Sequence, residues 1–546
     1  MSINHKGGSL LDTNEKPQKE TVKPQNSIDC NVHLEETVLN RLKNYSLDEY
    51  ISDCEKLGLE KTWDYICLYI MKSTSNLPKV LDVDNLGELY EVGLAIQDKR
   101  TKKKSGIYYT PDDVARVMSV WLDKCEGEAV CDVGCGSGKL ILTYLNYIGY
   151  EKARELISRG LLYLYDCDSL ALKICKTVIS VKYGLDIWNN INGFCCDFLD
   201  KDILLPKNCK VICNPPYARL EQIESSWQIT DVLSETREFY SVFMEKIFTQ
   251  AYSTVIITPF SFISGKKFYS LRRLMTTVGG GFIVSFDNVP GNIFCGKKHG
   301  IFNTNTANSV RAAITVLNKK MGKGFRVSPL IRFKNEQRSE VLDCSVLEEI
   351  LPDEVQIIDK INPHFKKIDK KLISVFSAWQ DRSALKVKDF LAKYKTEYMI
   401  DMPNTCRYYT TASHRKLKRT GAITFYIKDK EAYDFLYCFI NSSFAYWWWR
   451  IFDGGITYPV SLFYDMPLPF NLLREEDKRF FSDMREFLIN EEKKFIITKV
   501  NAGAPQENIK FPKEYRSKIN NRILKILGFD IQDTIFDTVH ANEFKD

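Results

Sequence analysis

The spacing of apolar residues changes along the chain and divides it into regions with different predicted structure. Between about Leu39 and Arg100, apolar residues recur every three or four positions, as in helices that bury one face. From Gly106 to about Asn318, short apolar runs alternate with helical patterns, which predicts a doubly wound, mostly parallel α/β sheet. The predicted strands are Ala129–Asp132, Leu161–Tyr165, Val211–Cys213, Thr254–Thr258 and Phe282–Phe286.

These patterns, together with changes in polarity, predict five segments. The chain begins with a polar stretch that is poor in aromatic residues, and beyond about residue 320 the strand–helix alternation stops. The segments are a disordered tail at 1–37, a helical domain at 38–104, a doubly wound domain at 105–320, a mixed α/β domain at 321–473 and a helical segment at 474–546.

Composition narrows the class of protein. Of 546 residues, 44% are hydrophobic and 27% are charged, which excludes a wholly disordered or fibrous chain. No apolar run reaches the about 20 residues that span a bilayer, and the first residues lack the pattern of a secretory signal. The 16 cysteines include no CxxC pair, and with six histidines they give no local zinc spacing. We therefore expect a cytoplasmic protein with reduced thiols and no metal.

The charged residues bear on whether the protein binds nucleic acid. The 76 basic and 70 acidic residues give a net charge of only +6, so the distribution of positive charge matters more than the total. Basic runs occur at Lys102–Lys104 and at His414–Arg419. Such runs are usually solvated surface, so they indicate nucleic-acid binding only if other motifs support it.

The first candidate site follows the first predicted strand. That strand ends at Asp132, and Gly134, Gly136 and Gly138 then form a tight turn before a helix. Glycines there let the backbone approach a ligand at the helix N-terminus, where a nucleotide binds in such sheets. The spacing G-x-G-x-G differs from the G-x-G-x-x-G of dinucleotide enzymes, and the acid before it suits an ammonium group. A plain strand–helix turn is the alternative interpretation of this segment alone.

Acidic residues also follow the next two apolar stretches. Asp166 ends one of them and suits a ribose diol, which needs hydrogen-bond acceptors. Asp197 follows the other and can accept from an adenine amino group, while Phe198 packs on the ring. Ammonium, ribose and adenine are the parts of S-adenosylmethionine, so three acids in this order predict a site for that cofactor.

The fourth predicted strand leads into Asn214-Pro215-Pro216-Tyr217, which resembles the Asn-Pro-Pro-Tyr signature of amino-group methyltransferases. An exocyclic amine on an aromatic ring is a poor nucleophile because its lone pair is delocalised. The side-chain oxygen of Asn214 and the carbonyl of Pro215 can each accept one N–H, which aims the lone pair at a sulfonium methyl. Consecutive prolines stiffen the loop, and Tyr217 offers a face on which a planar target stacks.

The order of the motifs narrows the resemblance. Ser105–Pro111 is similar to the Gly-x-Tyr-Tyr/Phe-Thr-Pro segment that precedes the cofactor glycines in gamma-type N6-adenine DNA methyltransferases and in type I modification subunits. The resemblance covers about residues 85–320. It implies a Rossmann-like methyltransferase fold, S-adenosylmethionine as cofactor and a flipped adenine as target. It also implies cofactor contacts from Tyr108, Thr110, Pro111, Asn214, Pro216 and Phe243, and a second stacking ring at Phe294. Lys139 departs from the family, which commonly has an aromatic residue there.

The C-terminal region is predicted to read DNA sequence. The helical domain with Leu86–Glu91 resembles that of type I modification subunits, which indicates a restriction-modification setting and double-stranded DNA as partner. A separate endonuclease or specificity subunit is a further expected partner. The predicted DNA contacts are Arg407, Arg415, Lys416, Lys418 and Arg419. The run Trp447–Trp449 is instead predicted to be a helix packed in the core of this domain.

Other activities share parts of this pattern. Protein-glutamine methyltransferases that act on release factors carry the same tetrapeptide, but they lack a large C-terminal domain. N4-cytosine methyltransferases usually have Ser or Asp where Asn214 stands. A fused nuclease needs more than the roughly 100 residues before Gly106, and a non-catalytic DNA-binding protein has no need of an intact tetrapeptide.

Overall fold

A computed structural model of the protein describes residues 36–73, 77–97, 110–294, 310–406, 408–501 and 503–530, and the positions 535, 539 and 540. The predicted disordered tail lies almost entirely outside the described residues, as do Tyr108 and Arg407. Among the helices in these ranges, none combines the length and apolar character that crossing a membrane requires.

The N-terminal part is the helical domain that the apolar spacing predicts. Its helices are α1 (Glu36–Arg41), α2 (Leu47–Lys56), α3 (Leu59–Lys72) and α4 (Leu86–Gln97). Helix α2 begins with a capping box, in which Ser46 and Glu49 each accept a hydrogen bond from the other's backbone N–H. The aromatic side chains of Tyr50, Trp63 and Tyr90 meet edge to face and fill the domain's core.

The next part contains one eight-stranded sheet, and it confirms the predicted doubly wound, Rossmann-like fold. The strands are β1 (Ala129–Val133), β2 (Leu162–Asp166), β3 (Asn192–Cys195), β4 (Cys209–Cys213), β5 (Ser253–Pro259), β6 (Gly280–Phe286), β7 (Ala312–Asn318) and β8 (Gly324–Ile331). Their order is β3-β2-β1-β4-β5-β7-β6-β8. Strand β7 is antiparallel to both neighbours, whereas the other pairs are parallel.

Helices cover both faces of this sheet. They are α5 (Asp112–Asp123), α6 (Lys139–Ile148), α7 (Tyr150–Ser158), α8 (Ser169–Tyr183), α9 (Asp231–Thr236), α10 (Phe239–Gln250) and α11 (Tyr269–Val278). Helices α5 to α8 contribute to the core on one face, and α9 to α11 to the core on the other. The chain direction across the sheet reverses between β1 and β4, so the loops that follow these two strands line a crevice at the sheet's carboxyl edge.

The sheet extends beyond residue 320, where the sequence predicts the end of this domain. Strand β8 pairs in parallel with β6, with Phe282 opposite Arg326. The apolar pattern does not predict this strand because Pro329 lies within it, and proline has no N–H to donate to a neighbouring strand. The register shifts between Ile283 and Ser285, and there the hydroxyl of Ser328 accepts the backbone N–H of Ser285 at 2.9 Å. A side chain thus supplies the hydrogen bond that the irregular strand lacks.

The C-terminal part is a mixed α/β domain, and its last helices belong to it. Before it, α12 (Arg338–Val341) and α13 (Cys344–Glu349) bury Val341 and Leu347 in the core of the sheet domain. The elements of the C-terminal domain are α14 (Ile373–Arg382), β9 (Leu385–Lys386), β10 (Met399–Pro403), β11 (Ala422–Tyr426), α15 (Lys430–Asn441), α16 (Ser443–Phe452), α17 (Val460–Tyr464), β12 (Pro467–Leu468), α18 (Glu475–Glu491), β13 (Ile496–Asn501), β14 (Ala504–Ile509) and α19 (Lys513–Ile526). Helices α18 and α19 bury residues in the same core as α15 and α16, and the hairpin β13–β14 between them was not predicted. Trp447–Trp449 lie buried in α16, as predicted.

One buried carboxylate joins this domain to the sheet. Asp287, directly after β6, accepts hydrogen bonds from Arg311 at 2.9 Å, from Arg332 at 2.8 Å and from Arg450 of α16 at 3.0 Å. Burial alone would raise the pKa of Asp287, but the three guanidinium groups outweigh it and hold that pKa below its usual range. The ion cluster therefore connects α16 of the C-terminal domain to the ends of three strands of the sheet.

Replacing Asp287 by alanine should destabilise the protein strongly. The change leaves three arginine side chains buried without their shared anion, so the free energy of unfolding should fall by about 3–5 kcal/mol. Asp465→Ala is the control because it removes an exposed partner of Lys388, which should change that free energy by less than about 1 kcal/mol. Urea denaturation measures both, and equal losses would contradict the role given to Asp287.

Candidate functional site

The Asn-Pro-Pro-Tyr loop begins where β4 ends at the crevice. The side-chain Nδ2 of Asn214 donates to the hydroxyl of Thr110, with a distance of 3.0 Å. Thr110 is buried and precedes Pro111, the N-cap residue of α5. Pro215 is buried, and Pro216 is half-buried. Two motifs that are about 100 residues apart in sequence thus meet at one point of the sheet edge.

Tyr217 contacts the second predicted stacking ring. Its hydroxyl donates to the backbone carbonyl of Ile257 in β5 at 3.1 Å. Its ring meets that of Phe294 edge to face, with 5.8 Å between the centroids. A planar group sandwiched between two rings needs about 7 Å between them, because each stacking contact takes at least about 3.5 Å. The two rings must therefore separate before a base can lie between them.

The glycine turn is fixed by the strand next to it. The backbone N–H groups of Gly134 and Cys135 donate to the carbonyl of Tyr165 in β2 at 2.8 and 3.1 Å. Gly134, Gly136 and Gly138 all have positive φ angles, of 74°, 50° and 98°. Only glycine adopts this conformation without strain, which explains the residue type at each of these positions.

Asp132 lies beneath this turn and is fully buried. Its Oδ2 accepts the backbone N–H of Ile141 at 3.2 Å, whereas its Oδ1 has no hydrogen-bond partner among the described residues. Burial raises the pKa of Asp132 to about 8, against the opposing effect of the Ile141 hydrogen bond. A buried acceptor without a donor is costly, so this oxygen suits a cationic ligand group.

Asp166 stands at the tip of β2 beside the turn. Its Oδ2 accepts the backbone N–H of Gly136 at 2.7 Å, and its Oδ1 accepts that of Asp168 at 2.8 Å. Burial raises its pKa, while these backbone hydrogen bonds act in the opposite direction. Each carboxylate oxygen keeps further lone pairs, so both can still accept hydroxyl groups from a ligand.

The third acid has a partner that sequence analysis missed. Asp197 is exposed, and its Oδ2 accepts the indole N–H of Trp227 at 2.7 Å. Phe198 is buried against Phe243, with 5.4 Å between the ring centroids, and the ammonium of Lys246 lies over the Phe198 ring. Trp227 belongs to the loop after the tetrapeptide, and no local motif marks it. The loop thereby closes one side of the Asp197 region.

Lys139, where the family commonly has an aromatic residue, forms an ion pair with Asp112 of α5. Both residues line a cleft of about 620 Å³ between the helical domain and the sheet domain. Other lining residues are Gly87, Glu91, Thr110 and Ser137. The cleft thus reaches the glycine turn from the side of the helical domain.

The predicted DNA contacts require that the charges of the basic run at His414–Arg419 lie at the surface, and not all of them do. Lys416 and Lys418 are exposed, and Arg415 is half-buried with its Nε 3.2 Å from Glu492. The side chain of Arg419, however, is only 3% exposed, and its guanidinium pairs with the buried carboxylate of Asp401. The run forms an irregular loop in which Leu417 and Arg419 face inward, a detail that a count of charges does not reveal.

Comparison with known protein families gives a match that includes the glycine turn and the Asn214 loop. Residues 81–338 match the model of the N-6 DNA Methylase family. This segment is an N-6 DNA methylase domain. The predicted resemblance is thereby confirmed, and the methylase domain includes α4, the glycine turn, the Asn214 loop and all eight strands.

Relatives of the methylase domain include a subunit of a restriction enzyme. The chain is 25% identical over 152 residues to the type I restriction enzyme MpnII methylase subunit of Mycoplasma pneumoniae. That match covers 25% of this chain and 26% of the relative, so it spans about a quarter of either protein.

Two of the solved structures that the chain matches are a protein–DNA complex and a subunit of a type I restriction enzyme. The DrdV–DNA complex gives a TM-score of 0.43 at 15% identity, covering 67% of this chain and 44% of that one. The M protein of the type I enzyme EcoKI gives 0.33 at 13% identity, covering 63% and 67%.

Arg419→Gln should lower the thermal unfolding midpoint, whereas Lys416→Gln should leave it unchanged. The first change leaves the carboxylate of Asp401 buried without its cation, a loss of about 3–5 kcal/mol. The second removes only an exposed charge, within about 0.5 kcal/mol. Calorimetry of both variants checks this expectation, which fails if the two midpoints shift alike.

Proposed function

We propose that the protein transfers a methyl group from S-adenosylmethionine to the N6 amino group of a flipped adenine in double-stranded DNA. The observation that carries this proposal is the Asn214 loop, which follows β4 beside the glycine turn inside the methylase domain. Nucleotides bind at this point of a doubly wound sheet, and the tetrapeptide supplies acceptors for an amino group.

Asn214 and Pro215 would activate the amine. With its Nδ2 engaged by Thr110, the Oδ1 of Asn214 is the acceptor for one amino hydrogen, and the Pro215 carbonyl accepts the other. These contacts strengthen as the nitrogen becomes tetrahedral. The N–CH₃ bond forms, the S–CH₃ bond breaks with its electron pair left on sulfur, and one proton leaves the nitrogen for water. Tyr217 and Phe294, once apart, would hold the extruded base between them.

The residues around the turn fit the cofactor. The Oδ1 of Asp132, which lacks a partner among the described residues, suits the ammonium, and Asp166 suits the ribose diol. Asp197 suits the adenine amino group, with Phe198 and Phe243 packing near the ring. When bound, S-adenosylmethionine supplies the electrophilic methyl group. The backbone of Gly134 and Gly136 would lie against it, and the family resemblance adds Thr110, Pro111 and Pro216.

The C-terminal domain would recognise DNA. Lys416, Lys418 and Arg415 lie at its surface and suit phosphate contacts, whereas buried Arg419 no longer belongs to that set. The protein would then be the modification component of a restriction-modification or phage-defence system. Its partners would be DNA and a separate endonuclease or specificity subunit, which the name of the MpnII relative supports.

Protein-glutamine methylation is the second candidate because it uses the same tetrapeptide. The large C-terminal domain argues against it, since α14 to α19 surround a core of their own. Incubation with labelled S-adenosylmethionine and either genomic DNA or release factor separates the two. Label in the release factor but not in DNA would refute the proposal.

Asn214→Ala should slow methyl transfer by about 10²–10³-fold and leave cofactor affinity nearly unchanged. The contact that is lost matters most when the amine becomes tetrahedral, so the effect falls on the rate. Single-turnover assays on double-stranded DNA measure it. Asn190→Ala is the control. The side-chain amide of Asn190, which lies just before β3, donates to the exposed backbone carbonyl of Ser158 and does not belong to the proposed site. Transfer by Asn214→Ala at the wild-type rate would refute the mechanism.

Cofactor affinity should rise with pH up to about 8. At lower pH the carboxyl of Asp132 is protonated in the free protein, and a cation binds only after that proton leaves. Binding of S-adenosylhomocysteine, which keeps the ammonium, should therefore release a proton near pH 7, measurable by calorimetry in buffers of different ionisation enthalpy. Asp132→Asn should abolish the release. A wild-type affinity that is constant between about pH 6 and pH 9 would contradict the assignment of Asp132.

A further inference from the structure

A hydrogen bond crosses the junction between the helical domain and the sheet. The phenol of Tyr90, in α4, donates to the Oδ2 of Asp168. The other oxygen of Asp168 accepts the backbone N–H groups of Leu170 and Ala171, at 3.0 and 3.1 Å, and so caps the start of α8. Donors from two domains thus hold the carboxylate of Asp168 in one orientation.

The same residue is connected to the glycine turn. The backbone N–H of Asp168 donates to the Oδ1 of Asp166, and the N–H of Gly136 donates to the Oδ2 of Asp166. A continuous series of hydrogen bonds therefore runs from Tyr90 through Asp168 and Asp166 to Gly136. It begins in the helical domain and ends at the backbone that faces the proposed cofactor.

The junction around this series is held by several other contacts. Lys173 and Lys182 of α8 pair with Asp64 and Asp84 of the helical domain. Apolar side chains of α8 belong to the core of the helical domain. At Gly87 in α4, an added Cβ would lie 2.9 Å from the hydroxyl of Ser137 in the glycine turn. Helix α4 therefore packs closely against the glycine turn.

We propose that Tyr90 is a positioning residue for the cofactor, so that the helical domain completes the site that binds the ribose. This inference rests on the proposed function, because it assumes that Asp166 receives the ribose hydroxyls. Tyr90 acts through Asp168 and does not itself touch the cofactor.

The chemistry explains why the phenol matters. Asp166 and Asp168 are two carboxylates separated by one residue, and their mutual repulsion disfavours two negative charges at the strand tip. The phenol hydrogen bond stabilises the charge on Asp168 and holds that side chain on the helical-domain side. Without it, Asp168 keeps its cap on α8, but its backbone N–H is no longer held so firmly against Asp166.

The test compares two ligands on the full-length protein. Tyr90→Phe removes only the hydroxyl, and it should weaken the binding of S-adenosylhomocysteine by about 2- to 10-fold, the worth of one hydrogen bond. The 2′,3′-dideoxy analogue of that ligand has no ribose diol, so wild type and Tyr90→Phe should bind it equally. Titration calorimetry gives the four dissociation constants.

Tyr45→Phe is the matched control. It also removes a buried phenol hydroxyl from the core of the helical domain, but this hydroxyl donates to the carboxylate of Asp53 in α2, at 2.7 Å, and not to Asp168. Its affinity for S-adenosylhomocysteine should equal that of the wild type, even if both variants lose stability by a similar amount in thermal unfolding.

Three results would overturn the proposal. These are unchanged affinity of Tyr90→Phe for S-adenosylhomocysteine, an equal loss for the diol-free analogue, and an equal loss in Tyr45→Phe. The last two would mean that the hydroxyl only stabilises the helical domain. If the wild type itself does not bind S-adenosylhomocysteine, the proposed function fails, and this inference fails with it.

Discussion

Asp287 gathers three guanidinium groups around one buried carboxylate, and the relation between the sheet and the C-terminal domain depends on that cluster. Its members come from the end of β6, the start of β7, the end of β8 and the last turn of α16. All four places lie near the carboxyl edge of the sheet, where the Asn214 loop also begins. Three cations around one carboxylate leave an excess of positive charge, and two of them have further acceptors: Arg450 donates to the carbonyl of Leu330, and Arg332 donates to the hydroxyl of Tyr446. These hydrogen bonds are directional, so they specify how α16 lies against the ends of the strands.

The sheet domain thus has two interfaces, one with the C-terminal domain and one with the helical domain, and different interactions hold them. On the C-terminal side, the buried ions around Asp287 connect the strand ends to α16. On the N-terminal side, partly exposed ion pairs, a shared apolar core and the Tyr90 hydrogen bond attach the helical domain to α8. Salt screens ion pairs that water reaches more than it screens the buried ions around Asp287.

Much of the fold and part of the candidate site could be predicted because they depend on local patterns. Strands β1, β2, β4, β5 and β6 are continuous apolar runs, and a residue at the carboxyl end of a parallel strand necessarily lies at the sheet edge. Acids at those ends, such as Asp132 and Asp166, are therefore placed by the strand pattern alone. Contacts between residues that are far apart in the sequence could not be predicted in this way. Strand β8 contains Pro329, which is unusual inside a sheet, so the pattern does not predict it. Trp227 contacts Asp197 from an irregular loop that no motif marks. Arg419 has the sequence context of a surface cation, and only the fold shows that it pairs with buried Asp401.

The contact between Tyr217 and Phe294 has a consequence for the proposed base pocket. Each ring shields part of the other from water, so separating the rings would expose apolar surface at a free-energy cost. A flat aromatic group between the rings would replace the contact that is lost, whereas water would not. Under the proposed function, the closed pair would therefore favour the entry of ligands with large flat faces.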